Sequence, residues 1–210
     1  MATALEICAA AFQEANQDQD LVSFTMSDFP YTTALGLLNK VIREMNREGR
    51  YWFTETATTL TYTPGTYQYN LTSLSIDPKS ITRVSKVNTS GIQDLTALNY
   101  PDMQRKYPST AIQTVEPQFY TRYNNILYLN SIPDADYQIT VYHYRDMPLI
   151  TSEADTLLCP EADEDVFQDG VYAYLMKRLS REKWQSAWAD YIQKVRAMVV
   201  KIENDLAMPT

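Results

Sequence analysis

The segment WQSAWADYIQKVRAMVVKI, residues 184–202, decides most of what the fold of this chain must be. Its large apolar side chains alternate at spacings of four and three residues, which places them on one side of a helix. They are Trp184, Trp188, Tyr191, Val195, Met198 and Ile202. With about 1.5 Å of rise per residue, this stripe is roughly 27 Å long. It must pack on other elements, so the spacing predicts a long amphipathic helix near the C-terminal end.

A second helix is expected directly before this one. Val171, Tyr174, Leu175 and Leu179 recur at helical spacing, and Pro160 suits a first helical turn. Acidic side chains cluster where the positive end of the helix dipole is expected; they are Glu161, Asp163, Glu164 and Asp165. Neither Gly nor Pro marks the joint at residues 180–181, so we expect a helical hairpin, with one bent helix as the alternative.

Two more helices are expected near the N-terminus. Residues 3–15 place Leu5, either Cys8 or Ala9, and Phe12 on one face. A second helix is expected after a cap at Ser27 or Asp28, with Pro30 in its first turn. Its apolar stripe comprises Ala34, Leu35, Leu38, Val41, Ile42 and Met45. Gly49 is expected to end this helix in the left-handed conformation, and the aromatic triplet 51–53 follows it.

From residue 54 onward the pattern changes to that of strands. A hairpin is expected over residues 60–71, because Pro64 and Gly65 suit the centre of a type II turn. Strands are also predicted at 81–87, 92–95, 117–123, 126–129 and 137–145, and a short helix at 100–106. Asn124 and Asn125 tolerate positive φ and are expected to form a hairpin turn.

The order of helices, strands and helices predicts an α+β fold. We expect the N- and C-terminal helices to form a helical bundle with an inserted antiparallel β module. The expected domains are residues 1–50 for the N-terminal helices of the bundle, 51–150 for the β-rich inserted module, and 151–210 for the C-terminal helices and a docking tail.

Charge argues against tight binding of DNA. The net charge is −8, and no Lys or Arg precedes Lys40. Residues 151–169 contain seven acids and no base. A protein that grips a duplex needs clustered cations, whereas a surface that DNA must slide past is expected to be acidic. A merely solvated acidic face remains the alternative.

No pattern in the sequence indicates an enzyme, a cofactor or a metal site. His143 is the only histidine and shares a predicted strand face with Ile139 and Val141, so we expect a half-buried sheet residue rather than a catalyst. Cys8 and Cys159 form no metal-binding motif and are expected to be small buried hydrophobes. The acidic run that begins at Asp163 lacks the ligand pattern of a calcium loop and is expected to cap a helix.

The N-terminal segment carries Glu6 and no basic region, which argues against a signal peptide. No run of about 18 apolar residues is present, so no membrane span is expected. The sequence therefore predicts a soluble protein that is made inside the cell.

An ordered series of short motifs covers most of residues 27–195. The motifs are Ser27-Asp-Phe-Pro30, Leu37-Leu-Asn39, Gly49-Arg-Tyr-Trp-Phe53, Glu116-Pro-Gln-Phe-Tyr120, Ile126-Leu-Tyr-Leu129, Pro133-Asp-Ala-Asp-Tyr137, Val141-Tyr-His-Tyr-Arg145, the segment 155–160 and Gly170-Val-Tyr-Ala-Tyr-Leu175. In order and spacing, this series resembles the head-to-tail adaptor (connector) proteins of short-tailed bacteriophages.

The resemblance implies a structural virion protein at the head-tail junction, assembled in the bacterial host cytoplasm. It implies a ring of copies, expected to be a dodecamer, that sits below the portal protein and attaches other tail proteins. DNA would pass through the ring without specific binding, and no membrane is involved. The resemblance also implies a helical bundle combined with a β module.

Two sets of residues become candidates for assembly. Family members reach the portal through the C-terminal region, so the portal-binding candidates are Met198, Val199, Ile202, Leu206 and Met208. Acids that line the channel or face a neighbouring copy are expected at Glu161, Asp163, Glu164 and Asp165.

Two alternative functions stay open. A tail-associated glycan-binding module would use the 16 tyrosines of the chain as exposed rings in a row. A cell-wall hydrolase would require His143 or a carboxylate pair as its catalyst.

Overall fold

The computed structural model describes residues 2–17, 31–60, 65–88, 91–109, 112–152, 154–179 and 183–199. Its helices are α1 (Ala4–Gln17), α2 (Tyr31–Glu48), α3 (Tyr100–Lys106), α4 (Glu164–Leu179) and α5 (Trp184–Met198). Its strands are β1 (Glu55–Leu60), β2 (Gln68–Asn70), β3 (Ile81–Asn88), β4 (Gly91–Asp94), β5 (Thr96–Ala97), β6 (Phe119–Tyr123), β7 (Ile126–Leu129) and β8 (Gln138–Tyr144). The chain is therefore α+β, as predicted.

These residues form two compact units. The helical unit contains residues 2–54 and 146–199, and the β unit contains Glu55–Arg145. The chain thus leaves the helical unit once, forms all of its strands, and then returns to complete the helical unit.

Helix α4 is the centre of the helical unit, because it packs against α1, α2 and α5. Phe167, Val171 and Leu175 of α4 are fully buried in one hydrophobic core, to which Tyr191 and Val195 of α5 also belong. Leu179, which was predicted on the same face, is 36% exposed at the end of α4. At about 1.5–3 kcal/mol for each large side chain, this burial is a major source of cohesion.

The helical hairpin is confirmed, and the single bent helix is excluded. Helices α4 and α5 lie side by side. Tyr174, late in α4, meets Trp188, early in α5, at a ring distance of 5.2 Å, and Asp169 pairs with Lys194, late in α5. The two helices are therefore antiparallel. Residues 180–182 of the joint lie outside the described residues.

Gly170 marks the closest approach of three helices. A Cβ atom at this position would lie 2.7 Å from Cγ1 of Val41 and 2.8 Å from Cε2 of Tyr191. Val41 and Tyr191 are both fully buried. The absent side chain of Gly170 is what allows α2 and α5 to lie this close to α4.

Two asparagine side chains hold the returning chain against α2. Asn46 donates from Nδ2 to the carbonyl of Met147 at 3.0 Å. Its Oδ1 accepts from the backbone N–H of Met147 at 2.9 Å. Asn39 makes the same pair of bonds with Ile150, at 2.9 and 2.8 Å. The segment 147–150 is thus tied to a helix by two side-chain amides.

The β unit consists of two four-stranded sheets. Their strand orders are β1-β8-β3-β4 and β2-β7-β6-β5. Apolar residues of both sheets share one core, with Val84 and Val141 from the first sheet and Leu127 and Leu129 from the second. The strands that leave and re-enter the helical unit are paired, with Glu55 opposite Tyr144.

Several local predictions are confirmed. Asn124 and Asn125 have φ values of 48° and 60° and join β6 to β7 in a hairpin. Helix α3 spans Tyr100–Lys106 as expected, with the Asn99 side chain accepting from the N–H of Asp102 at its start. The apolar stripe of α2 is confirmed from Ala34 to Met45, although Leu35 is only partly buried. Ser27, Asp28 and Pro30 lie outside the described residues.

The predicted hairpin over residues 60–71 is wrong. Strand β1 pairs with β8, and β2 pairs with β7 in the other sheet. Gly65 has a φ of +81°, which suits the expected turn, but the chain passes here from one sheet to the other. Local alternation identifies a strand without identifying its partner, and both strands pair with segments distant in sequence.

Two predictions in the N-terminal helices are also wrong. Gly49 does not adopt the left-handed conformation. A Cβ atom there would lie 2.9 Å from Cγ2 of Val199. Glycine is therefore favoured because a side chain has no room, and not because of its φ angle. Leu5 is 38% exposed, because the buried face of α1 is centred instead on Ala4, Ile7, Ala11 and their neighbours.

Candidate functional site

The first part of the proposed portal-binding stripe lies against the helical unit. Met198 and Val199 are partly buried and pack on the helical core. Val199 also forms an antiparallel bridge with Tyr51, which is 1% exposed and donates its hydroxyl to the carbonyl of Met45 at 2.9 Å. The chain is therefore anchored at the point where it leaves the described region. Ile202, Leu206 and Met208 lie outside the described residues.

The four candidate acids surround the start of α4. Glu161 and Asp163 belong to a 3-10 turn that precedes the helix, where their charge complements the helix dipole. Glu164 accepts a hydrogen bond from the backbone N–H of Ala2 at 2.6 Å. Asp165 pairs with Lys194 at 3.4 Å. The structure brings these acids together, and two of them are engaged within the chain.

A groove of about 500 Å³ lies between α1, α4 and α5. Its charged side chains are three acids, Glu14, Asp169 and Asp190, and one base, Lys194. Hydrogen bonding to Asp169 raises the pKa of Lys194, so this base stays charged. Tyr172, Ala187 and Ala197 supply apolar walls. We call this the acidic groove.

A second surface combines bases with aromatic rings. Nζ of Lys40, on α2, lies 5.9 Å from the ring centre of Tyr174, and Nζ of Lys177 lies 5.1 Å from that of Trp184. Arg178 and Lys183 are exposed beside Lys177 and Trp184 in the chain. We call this the basic surface, and it comprises Lys40, Lys177 and the rings of Tyr174 and Trp184.

The basic surface could not be predicted from the sequence. Its members are distant in sequence, and only the packing of α2 on α4 unites them. The available signal was the run of bases at 177–183 beside the predicted joint.

Tyrosines of the β unit collect on the outer face of the second sheet. The ring of Tyr100 stacks on that of Tyr123, with centres 4.1 Å apart and planes 12° apart. Tyr128 lies 5.5 Å from Tyr100. Tyr123 is 42% exposed. The rings pack against one another, so the three tyrosines form a compact aromatic cluster and not a row of exposed ring faces.

His143 lies in a strand, as predicted, but it is buried rather than half-buried. It is 4% exposed and its Nε2 lies 2.9 Å from the hydroxyl of Thr58 on β1. Burial is the main cause that lowers its pKa; a backbone hydrogen bond at Tyr144 opposes this shift, and the charge of Arg145 reinforces it.

The lowered pKa predicts that acid destabilises the β unit. The unfolded state takes up a proton near the ordinary pKa of about 6.5, whereas the folded state takes it up only at lower pH. Stability is therefore complete above pH 6.5 or so and falls as the pH drops from there toward the folded-state pKa. The ring signals of this single histidine, followed by NMR titration, are expected to give a pKa below 6.5.

His143→Gln serves as the control, because it removes this titration and leaves a group that can bond to Thr58. Between pH 7 and 5.5 the wild type is expected to lose more stability in urea than the variant. Equal losses would contradict the assignment.

Both cysteines are buried and free, as expected. Burial raises the pKa of the Cys8 thiol and of the Cys159 thiol to about 12. Among the described residues, no three His, Cys, Asp or Glu side chains are placed to share a metal ion. None of the helices in the described part of the chain has the length and apolar character needed to cross a bilayer.

Comparison with known proteins identifies the family. The family model described as SU10 adaptor protein matches residues 2–206, nearly the whole chain. No protein with a curated description matches the sequence significantly. The adaptor family is one of structural proteins and not a class of enzymes, and membership identifies the chain as a component of a bacteriophage virion. The chain therefore belongs to the SU10 adaptor protein family, which confirms the resemblance to bacteriophage head-to-tail adaptors.

Proposed function

We propose that this protein forms a ring, expected to be a dodecamer, below the portal of a bacteriophage. The ring extends the DNA channel and attaches other tail proteins, and DNA passes through it without specific binding. The observation that carries the proposal is the family match over residues 2–206. The helical unit would serve as the bundle of the adaptor, the β unit as the inserted module, and assembly would take place in the host cytoplasm.

We propose that the C-terminal tail binds the portal. The candidate residues are Met198, Val199, Ile202, Leu206 and Met208. The anchoring of Val199 on Tyr51 supports a division of roles. Met198 and Val199 hold the start of the tail against the helical unit, and the three later residues offer apolar side chains to a groove on the partner.

Removal of residues 200–210 is expected to abolish portal binding and leave the helical unit folded. The truncated chain keeps Val199 and all described core residues. Binding to the portal ring of the same phage can be measured by native mass spectrometry, and folding by tryptophan fluorescence, because Trp52, Trp184 and Trp188 all lie in the helical unit.

A triple variant that replaces Ile202, Leu206 and Met208 with Ser is expected to lose binding equally. The matched control replaces Glu203, Asn204 and Asp205 with Ser. If the truncated chain or the apolar variant bound the portal as tightly as the wild type, the proposed role of the tail would be wrong.

The acids at the start of α4 are proposed to line the channel or to face a neighbouring copy. Their support is charge: Glu161 and Asp165 are exposed, and an acidic wall repels passing DNA. Replacing Glu161, Asp163 and Asp165 with Lys is expected to slow DNA packaging or ejection. Unchanged packaging and ejection would count against the lining role.

The two alternative functions gain no support from the site geometry. Tyr123 of β6 is stacked against Tyr100 of α3, whereas a glycan platform needs open ring faces. His143 is almost fully buried and bound to Thr58, which does not suit a general base that must reach a substrate.

A further inference from the structure

The helical unit carries two charged surfaces of opposite sign on different sides of the α4–α5 pair. The acidic groove faces α1, since Glu14 of α1 contributes to it. The basic surface faces α2, since Lys40 of α2 reaches the ring of Tyr174. On α5, the groove uses Ala187, Asp190 and Lys194, which form a different stripe from Trp184 and Trp188.

The charges within each surface are unbalanced. The groove has three acids against one base. Lys194 is already shared between Asp165 and Asp169, whereas Asp190 is exposed and has no ion pair with any described residue. On the other surface, Lys40 and Lys177 are exposed and make ring contacts. Asp190 in the groove, and Lys40 and Lys177 on the basic surface, therefore offer charge that no described residue pairs with in a salt bridge.

We propose that the acidic groove of one copy receives the basic surface of the next copy in the ring. The inference rests on the proposed ring and names the contact that closes it. Two different patches that fit each other make a heterologous interface, the type that generates rings when its rotation closes. Cations from one copy would enter an apolar-walled groove, where opposite charges attract more strongly than in open water.

Charge complementarity also explains how copies that carry the same net charge can associate. With a net charge of −8 for each copy, subunits repel one another at a distance. A local concentration of bases opposite local acids overcomes this repulsion and fixes the order of the contacts. Higher salt is accordingly expected to weaken the lateral contact.

Reversing one charge on either surface tests the proposal. Asp190→Lys sets a positive charge in the groove, opposite the bases of the next copy. Lys177→Glu sets a negative charge on the basic surface, opposite the acids of the groove. Each variant alone is expected to lower ring formation on the portal by about tenfold or more. Native mass spectrometry of the full chain mixed with the portal ring of the same phage measures this. Ala189→Lys, at an exposed position of α5 outside both surfaces, is the matched control and is expected to assemble normally.

Mixing the two variants gives the decisive result. In a ring where the two variants alternate, each interface joins either the two reversed charges or the two native ones, so opposite charges always meet. An equimolar mixture is therefore expected to restore assembly, and the rings should contain equal numbers of each variant. Isotopic labelling of one variant reveals that composition. A chain that carries both reversals is expected to assemble as well, which also shows that neither change prevents folding.

The outcomes separate this inference from the proposed function. If the wild type forms a ring on the portal and both single reversals do so equally well, the ring stands and the assigned contact is wrong. Single variants that fail and are not rescued by mixing also overturn it. If the wild type forms no ring with the portal, both proposals fall.

Discussion

Gly170→Ala is expected to destabilise the helical unit by about 1–3 kcal/mol, although alanine is the better helix former. The added methyl group would lie 2.7 Å from Val41 and 2.8 Å from Tyr191. Neither neighbour is free to move, because both are fully buried and the hydroxyl of Tyr191 reaches the carbonyl of Val41 at 3.5 Å. Gly170→Val should cost more than Gly170→Ala. Urea unfolding followed by tryptophan fluorescence reports on this unit directly.

Gly36→Ala is the matched control. Gly36 also lies within a helix, but a Cβ atom there would meet nothing within 4 Å. This substitution should therefore stabilise the same unit by about 0.5–1 kcal/mol. The two glycines are expected to give opposite signs, and a gain in stability on Gly170→Ala would show that α2, α4 and α5 pack less closely than described.

The pair of asparagines on α2 carries the second large effect. Each makes two hydrogen bonds to the backbone of the segment 147–150. At about 0.5–1.5 kcal/mol for each bond, Asn39→Ala or Asn46→Ala is expected to cost about 1–3 kcal/mol. Asn46→Asp keeps the size of the side chain but sets a carboxylate against the carbonyl of Met147, so it should be at least as harmful as Asn46→Ala.

Arg43→Ala provides the comparison, since Arg43 is exposed on the same helix and its removal should change stability by less than about 0.5 kcal/mol. The double asparagine variant tests the coupling. If the two side chains hold one segment, their effects should not add. Asparagine variants as stable as Arg43→Ala would show that the segment is held by its apolar side chains alone.

The helices could be predicted because their signals are local. The stripe from Ala34 to Met45 and the spacing of Trp184, Trp188 and Tyr191 each follow the helical period within one element. The turn at Asn124 and Asn125 is equally local, since it depends on two residues that tolerate positive φ. Each of these elements forms at the predicted place, although α5 ends at Met198, four residues before the end of the predicted stripe.

Features that depend on residues far apart in the sequence could not be predicted. Nothing near residue 60 indicates that β1 pairs with β8, more than 75 residues later. Asn39 belongs to a motif that indicated the family, but its bonds to Ile150 required the structure. Gly49 was expected to be needed for a left-handed conformation, whereas the structure shows instead that Val199 occupies the space of a side chain there. The basic surface likewise exists only after α2 and α4 have packed.

The pairing of Glu55 with Tyr144 bears on how such proteins diversify. Antiparallel partners have Cα atoms only about 5 Å apart. The segment Glu55–Arg145 is therefore an insertion whose first and last residues are close together. A different insert of any size whose first and last strands are paired in this way could replace it by a single recombination event. The β unit could then be exchanged for another while the helical unit stays as it was.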